Sequence, residues 1–379
     1  MRFFHLSDLH IGLKLINRDL REDQEYIFDQ ITDYVKKETP QALVIAGDIY
    51  DKAVPSAEAV EVFDHLIAEL TEAAPDMTIM IISGNHDSGP RINCFRGVLS
   101  RQNVHMIGIP PKTEEEFIEK VILQDAYGNV NFYLLPFVKP SMVKEITGTD
   151  ENGNNLSYDE TIHRLIEREK IDQDQRNILV SHQFYLPVGK TAEDVERMDS
   201  EIRTVGNIDE ISADILGKFD YAALGHIHKP KDTFRYCGTP LACSVSEAEQ
   251  QKGILMVDIS EKESQPEVTV LPLKPLRQVR VIKGKLEEVL EQGCEDYVTV
   301  ILTDKVDLDV IDMQDRLRLA FPKLLEIRRE GLRNAVTEMH IEEQKFLDPF
   351  ELCCAFLQDT DEAEKELLMD VIHTVQEVK

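Results

Sequence analysis

The chain has 379 residues, of which 42% are hydrophobic and 30% are charged, an ordinary globular composition that excludes a disordered tail or a fibrous repeat. This length favours two or three domains, and no apolar run is long enough to span a bilayer. With 42 Lys and Arg residues against 71 Asp and Glu residues, the net charge is −29. Such a chain repels nucleic acid unless metal ions, a local basic surface or a partner subunit reverse the field.

The cysteines and the N-terminal sequence bear on the cellular compartment. The six cysteines form no C-x-x-C pair, so we expect reduced, buried thiols. The opening sequence MRFFHLSDLH has no basic segment followed by a long apolar core, so a signal peptide is not expected. Both features favour a cytoplasmic protein that does not contact a membrane.

The first two thirds of the chain repeat one arrangement, in which a short apolar run ends abruptly in polar residues. Continuous apolar runs are typical of strands buried on both faces, and helical periodicity lies between several of them, for example over residues 57–73. This alternation predicts an α/β sandwich with ligand-binding groups at the strand ends. The apolar runs cover residues 3–6, 42–46, 79–82, 178–180 and 221–224, and the polar groups after them begin at Ser7, Gly47, Gly84, Ser181 and Gly225.

The pattern changes around Pro272 and Pro275, which predict a linker. Beyond it, the sequence predicts a small α/β unit without polar clusters at its strand ends, and a helical segment from residue 346 onwards. Asp348 and Pro349 have the arrangement of a helix start. The predicted strands of the small unit cover residues 279–282, 297–302 and 324–327, and its helices cover 286–291 and 311–321.

The polar groups have the composition of a metal site. Residues two apart in extended backbone point the same way, so Asp8 with His10, and His226 with His228, can each present two donors to one cavity. Mixed His and carboxylate ligands suit divalent ions such as Mn²⁺, Fe²⁺ or Zn²⁺. Seven donors suit two ions that share a carboxylate, a pair able to turn water into a hydroxide nucleophile and to neutralise charge at phosphorus. The seven are Asp8, His10, Asp48, Asn85, His182, His226 and His228.

Each short motif alone has an ordinary explanation. A single D-x-H or H-x-H arises by chance or from a buried hydrogen bond, and Gly47-Asp48 suits any strand-to-turn transition. However, five of the eleven histidines fall at predicted strand ends, which favours the metal site. For the other six we expect core packing or solvent exposure; they are at positions 5, 65, 105, 163, 340 and 373.

Taken in order, these five groups resemble the motifs of the calcineurin-like metallophosphoesterases, over about the first 275 residues. The resemblance implies a β-sandwich flanked by helices. It also implies that His86 contacts the scissile phosphate or protonates the leaving oxygen, and that Asp87 fixes the tautomer of His86. By the same resemblance, one metal ion would be held by Asp8, His10, Asp48 and His228, and the other by Asp48, Asn85, His182 and His226.

Longer stretches, among them residues 84–88, 220–230 and 236–252, are similar to the SbcD family of bacterial nuclease subunits. That resemblance implies a nuclease domain at 1–275, an α/β capping domain at 276–342 and an ATPase-binding helical segment at 343–379. It implies two divalent ions, with Mn²⁺ expected, an SbcC-like ATPase partner, DNA as substrate and a homodimer within a heterotetramer. The helix expected around residues 91–101 and the helix before it are candidate dimer contacts or parts of the core.

The activities implied by this resemblance are an ATP-dependent 3′→5′ double-strand exonuclease and a single-strand endonuclease that opens hairpins, in DNA replication, recombination and repair. The location would be cytoplasmic and nucleoid-associated. Two bound cations and a DNA-contacting partner would offset the acidic charge. Two alternatives remain at this point: a phosphoesterase for small phosphodiesters, and a non-catalytic scaffold with the same fold.

Overall fold

The computed structural model describes residues 1–187, 189, 198–201, 209–230, 235–304, 310–330, 350, 353–354 and 362–377. Its strands are β1 (Arg2–Leu6), β2 (Lys14–Leu15), β3 (Arg18–Asp19), β4 (Ala42–Ala46), β5 (Thr78–Ile82), β6 (Val104–Ile107), β7 (Glu119–Asp125), β8 (Gly128–Leu135), β9 (Arg176–Ser181), β10 (Phe184–Leu186), β11 (Glu210–Ser212), β12 (Tyr221–Leu224), β13 (Gly253–Asp258), β14 (Glu267–Pro272), β15 (Val279–Gly284), β16 (Tyr297–Leu302) and β17 (Leu324–Arg329). Its helices are α1 (Arg21–Glu38), α2 (Ala57–Ala73), α3 (Gly89–Ile92), α4 (Arg96–Leu99), α5 (Pro140–Thr147), α6 (Tyr158–Arg168), α7 (Leu286–Leu290), α8 (Val310–Ala320) and α9 (Glu362–Glu377).

Two sheets packed face to face form a sandwich. The larger has the strand order β14-β13-β1-β4-β5-β6 and the smaller the order β12-β9-β8-β7. Apolar side chains from both sheets fill the interior; Phe3 lies edge-on against Phe132 and Tyr221, with ring centroids 5.5 and 5.6 Å away. Helices cover the outer faces, so the predicted fold class, an α/β sandwich flanked by helices, is confirmed.

Helix α2 shows how the sequence builds these outer layers. Ser56 accepts a hydrogen bond from the backbone N–H of Ala59 and so caps the first turn. Val62, Leu66 and Leu70 recur at four-residue steps and are buried against the larger sheet. This apolar stripe holds the helix on the sheet, because each fully buried aliphatic side chain contributes about 1.5–3 kcal/mol.

The pairing of the strands positions the candidate site. Strands β1, β4, β5 and β6 pair in parallel, as do β8, β9 and β12. The carboxyl ends of parallel strands gather at one edge of a sheet, where ligands bind. The loops after β1, β4, β5, β9 and β12 therefore begin at one end of the sandwich.

A separate three-stranded parallel sheet, β15-β16-β17, packs against α7 and α8 around its own apolar core. It contacts the sandwich through Leu15, Leu20, Val279 and Tyr297, and the Tyr297 hydroxyl donates to Asp23 of α1 over 2.8 Å. These elements match the small α/β unit expected after the linker. The boundaries of the three domains remain predictions.

The expected helix around residues 91–101 is wrong as a single element. The structure has two four-residue helices there, α3 and α4, separated at Phe95. The backbone of Phe95 is left-handed, with a φ of 61°, which a continuous right-handed helix excludes. Of the expected C-terminal helices, the start at residues 348–349 lies outside the described residues, while α9 is present. Among the helices that are described, none has the length and apolar character needed to cross a membrane.

Candidate metal centre

All nine site residues expected from the sequence lie at ends of sandwich strands. Four of them have a left-handed backbone: Asp8, His10, Asp48 and His226 have φ values of 53°, 42°, 51° and 96°. Such conformations are costly for residues other than glycine, and they cluster at functional sites, where the surrounding structure holds them. The residues follow β1 (Asp8, His10), β4 (Asp48), β5 (Asn85, His86, Asp87), β9 (His182) and β12 (His226, His228).

Glycines in these loops allow the strand ends to meet. A Cβ atom on Gly84 would lie 2.1 Å from Oδ1 of Asp48. A Cβ on Gly225 would lie 2.1 Å from the backbone oxygen of Ala46 and 2.7 Å from Nδ1 of His182. Because no side chain fits in so little space, glycine is required where these loops pass one another.

The first donor group consists of Asp8, His10 and His228, whose candidate ligand atoms lie within 4.8 Å of one another. Nε2 of His10 is 3.1 Å from Nε2 of His228, and the latter is 3.9 Å from Oδ1 of Asp8. The three residues are buried.

The second donor group consists of Asp48, Asn85, His182 and His226. Nε2 of His182 lies 3.3 Å from Oδ2 of Asp48 and 3.0 Å from Oδ1 of Asn85. Nδ1 of His226 lies 3.0 Å from the same amide oxygen. Both imidazoles therefore point to one position between the strand ends.

The two carboxylates of the donor groups, Asp8 and Asp48, lie where the two groups meet. Oδ2 of Asp48 is 3.3 Å from Nε2 of His182 and 3.8 Å from Nε2 of His10. Oδ1 of Asp8 is 3.9 Å from Nε2 of both His182 and His228. Both oxygens of Asp8 also accept from the backbone N–H of His226 at 3.1 Å, whereas Oδ2 of Asp48 faces imidazoles. Asp48 is therefore better placed to serve both groups.

Hydrogen bonds on the outer ring nitrogens orient two of the imidazoles, those of His182 and His86. Nδ1 of His182 donates to the backbone oxygen of Ala46 over 2.7 Å, and Nδ1 of His86 donates to that of Asp51 over 2.9 Å. With the Nδ1–H group bonded to a carbonyl oxygen, each ring turns Nε2 toward the donor groups, and Nε2 is the nitrogen that such a ring offers to a metal ion once it is neutral. The close approach of ring nitrogens and carboxylates fits divalent transition-metal ions.

The pKa values around Asp48 show that positive charge is favoured beside this carboxylate. Burial lowers the pKa of His182, but the carboxylates of Asp48 and Asp8 outweigh it and raise this pKa to about 9. Burial alone would raise the pKa of Asp48, yet His182 holds it well below its ordinary value. The pKa of His10 is lowered because the ring is buried. The buried Asp48 carboxylate thus attracts a cation to the position between the strand ends.

Comparison with known proteins identifies the family. The model of the calcineurin-like phosphoesterases matches residues 1–230 of the chain. This chain belongs to that family. Residues 275–361 match a second model, described as the type 5 capsule protein repressor C-terminal domain. The predicted enzyme class, a metal-dependent phosphodiesterase, is confirmed.

Relatives with a known name extend the match beyond the phosphoesterase domain. The SbcD subunit of nuclease SbcCD from Staphylococcus epidermidis is 29% identical over 91% of this chain and 90% of its own length. The protein of the same name from Staphylococcus saprophyticus is 29% identical over 78% of this chain and 75% of its own length. The predicted resemblance to the SbcD family is therefore confirmed.

Among solved structures, GAP50, the anchor in the inner membrane complex of Plasmodium, is similar at 12% identity and a TM-score of 0.39. The match covers 88% of this chain and 98% of that chain. A TM-score of this size does not by itself establish a common fold.

One predicted contact in this phosphoesterase is wrong. The resemblance implies that Asp87 fixes the tautomer of His86, but the oxygens of Asp87 accept from the backbone N–H groups of Ile49, Tyr50 and Gly84 at 2.9–3.1 Å. The Asp87 side chain thus joins the loops after β4 and β5. The backbone oxygen of Asp51 occupies the place at Nδ1 of His86, because the loop after β4 passes directly beside that ring.

Sequence reasoning also missed a set of buried polar residues behind His228. Ser200, Glu247 and Lys252 lie near its outer ring nitrogen or its backbone, on the side away from the donor groups. Glu247 and Lys252 fall within the 236–252 stretch that resembles the SbcD family. That resemblance was the available signal, but no local spacing connects these residues to His228.

Proposed function

We propose that this phosphoesterase is a two-metal DNA nuclease, the catalytic subunit of a complex like SbcCD. The observation that carries the proposal is the pair of donor groups between which Asp48 lies, with His86 beside them. Support for DNA as the substrate comes from similarity to the SbcD subunit of nuclease SbcCD along nine tenths of the chain.

In this proposal, one ion binds Asp8, His10, Asp48 and His228, and the other binds Asp48, Asn85, His182 and His226. Mixed imidazole, carboxylate and amide donors suit Mn²⁺, Fe²⁺ or Zn²⁺, and we propose Mn²⁺ because of the similarity to the SbcD family. When bound, the ions would lower the pKa of water and stabilise the negative charge that develops at phosphorus.

His86 is placed to act as the general acid. Its side chain is 16% exposed, against 0–3% for His10, His182 and His228, so a substrate oxygen can approach it. The Asp51 carbonyl oxygen holds the proton on Nδ1, which leaves Nε2 on the side of the donor groups, 4.0 Å from Oδ2 of Asp48. In the protonated ring, the proton on Nε2 can be transferred to the leaving oxygen of the DNA strand.

The rest of the chain fits a subunit of a larger assembly. We propose a nuclease domain at residues 1–275, a capping domain at 276–342 and a segment at 343–379 that binds an SbcC-like ATPase. The complex would be a heterotetramer built on a homodimer of this chain, acting in the bacterial cytoplasm at the nucleoid. Its activities would be ATP-dependent 3′→5′ exonuclease and single-strand endonuclease, including hairpin opening.

A substrate panel tests this function. The purified chain with Mn²⁺ is assayed on a linear duplex, a single-stranded circle, a DNA hairpin and a chromogenic phosphodiester, with and without the ATPase subunit and ATP. We expect cleavage of DNA, and stimulation of duplex degradation by ATP only when the ATPase is present. Hydrolysis of the chromogenic ester with no cleavage of any DNA would instead identify a phosphoesterase for small molecules.

A further inference from the structure

Behind His228 lies a largely buried polar network. Within the described part of the chain, it reaches the donor groups through that residue. It consists of Ser200, His228, Thr239, Glu247 and Lys252, and we call it the Glu247 network. Glu247 is 1% exposed and Lys252 is 7% exposed. Charged residues are seldom buried to this extent unless they are paired and hydrogen-bonded, so the network requires an explanation.

Ser200 forms the shorter connection between the histidine and the carboxylate, whose Oε1 also lies 3.5 Å from Nδ1 of His228. Its hydroxyl donates to Oε1 of Glu247 over 2.7 Å, and its Oγ is 2.7 Å from Nδ1 of His228. Because the single hydroxyl proton is directed to Glu247, the serine oxygen can accept the proton on Nδ1 of His228. The chain of donors then runs from His228 through Ser200 to Glu247, and it places the lone pair of His228 on Nε2, which faces the first donor group.

Lys252 holds the other carboxylate oxygen. Its Nζ lies 2.6 Å from Oε2 of Glu247 and 2.6 Å from Oγ1 of Thr239. It also donates to the backbone oxygen of His228 over 3.3 Å. The Lys252 ammonium group therefore neutralises the Glu247 carboxylate. It also links this carboxylate to the backbone of His228, the residue whose ring Glu247 orients.

The same residues suggest one other use. His228, Cys243 and Glu247 lie close enough together to hold a metal ion. However, the Lys252 ammonium group already supplies the positive charge beside Glu247, and a second cation there would be repelled. The arrangement thus favours an orienting role over a third metal site.

We propose that Glu247, acting through Ser200, is a positioning residue that fixes the tautomer and ring orientation of His228 for metal binding. This inference rests on the metal assignment of the proposed function. Carboxylates behind metal-binding histidines typically contribute about 10–100-fold to metal affinity. The effect should be confined to the ion held by the first donor group.

The test measures Mn²⁺ binding to the metal-free full-length chain by isothermal titration calorimetry. The variants are Ser200→Ala, which removes only the connecting hydroxyl, Ser200→Thr, which keeps it, and Glu247→Gln. Glu249→Gln is the matched control, since this exposed glutamate is two residues away. We expect two ions in every protein, with one dissociation constant raised about 10–100-fold in Ser200→Ala and Glu247→Gln and unchanged in Ser200→Thr and the control.

A second readout separates positioning from general support of the fold. In ¹⁵N-histidine spectra of the metal-free chain, the signal of the His228 ring is assigned by its absence in His228→Gln. In the wild type, this ring should carry its proton on Nδ1. That preference should be lost in Ser200→Ala.

Each remaining outcome of these measurements has a distinct meaning. Unchanged binding and tautomer in a folded Ser200→Ala variant would overturn the inference, as would equal weakening of both ions. Loss of a third ion in Glu247→Gln would identify Glu247 as a ligand instead. If Glu247→Gln does not fold, Ser200→Ala decides alone. A wild-type chain that binds no pair of ions would contradict the proposed function itself.

Discussion

Substitution of Asp48 by Asn should remove the carboxylate that we propose is shared by both ions. The change keeps the size of the side chain and one oxygen, so it tests charge more than shape. Asp48 is 1% exposed, and its Oδ2 lies 3.3 and 3.8 Å from imidazoles of the two donor groups. Bulk water therefore cannot compensate for the lost charge at that position.

The size of the effect follows from these distances. At an effective dielectric constant of about 20, two unit charges 3.3 Å apart attract one another by about 5 kcal/mol. Loss of an interaction of this size corresponds to roughly 10³–10⁴-fold weaker binding of a cation, since each 1.4 kcal/mol is a factor of ten. We therefore expect Asp48→Asn to retain at most one ion per chain and to lose measurable cleavage of DNA.

The assay is metal content by mass spectrometry after dialysis against micromolar Mn²⁺, followed by Mn²⁺ titration of DNA cleavage. Asp8→Asn is the matched variant inside the site and should lose mainly one ion, while exposed Asp76→Asn is the control outside it. Two bound ions and full activity in Asp48→Asn would refute the reasoning. If Asp8→Asn alone lost both ions, Asp8 would be the shared carboxylate.

Three further predictions test other parts of the molecule. His86→Ala should lower turnover about 10²–10⁴-fold while metal content and DNA binding stay unchanged; loss of metal would make His86 a ligand. Asp125 pairs with Arg176, whose side chain is 1% exposed. Asp125→Asn should therefore lower the free energy of unfolding by about 3–5 kcal/mol, measured by urea titration at pH 7. Substitution of the exposed Asp29 by Asn is the control and should leave the free energy of unfolding unchanged. Because Arg176 holds the pKa of Asp125 below its ordinary value, this difference should be complete above about pH 4 and shrink as the pH falls further; a constant difference would contradict the ion pair. Deletion of residues 344–379 should leave Mn²⁺-dependent nuclease activity intact but abolish co-purification with the ATPase and ATP-stimulated cleavage, and normal co-purification would place the interface elsewhere.

The amino-acid sequence was enough to predict the class of fold and the residues that we propose for the metal centre. Apolar runs such as 42–46 and 178–180 are buried on both faces in the structure, as their composition predicts. Parallel strands bring their carboxyl ends to one edge, so polar residues directly after such runs had to converge. For this reason Asp8, Asp48 and His182 could be named without coordinates, although they are far apart in the chain.

The contacts between these residues could not be predicted from the sequence, because they depend on the tertiary structure. That Asp87 binds backbone amides while the Asp51 carbonyl oxygen contacts His86 depends on how two loops pass each other. That Glu247 lies behind His228 depends on a segment that returns to the sandwich after the last site residue. Composition and spacing report which residues are apolar and which strand they follow. They do not report left-handed turns or contacts between distant loops, because those depend on the packing of the whole sandwich.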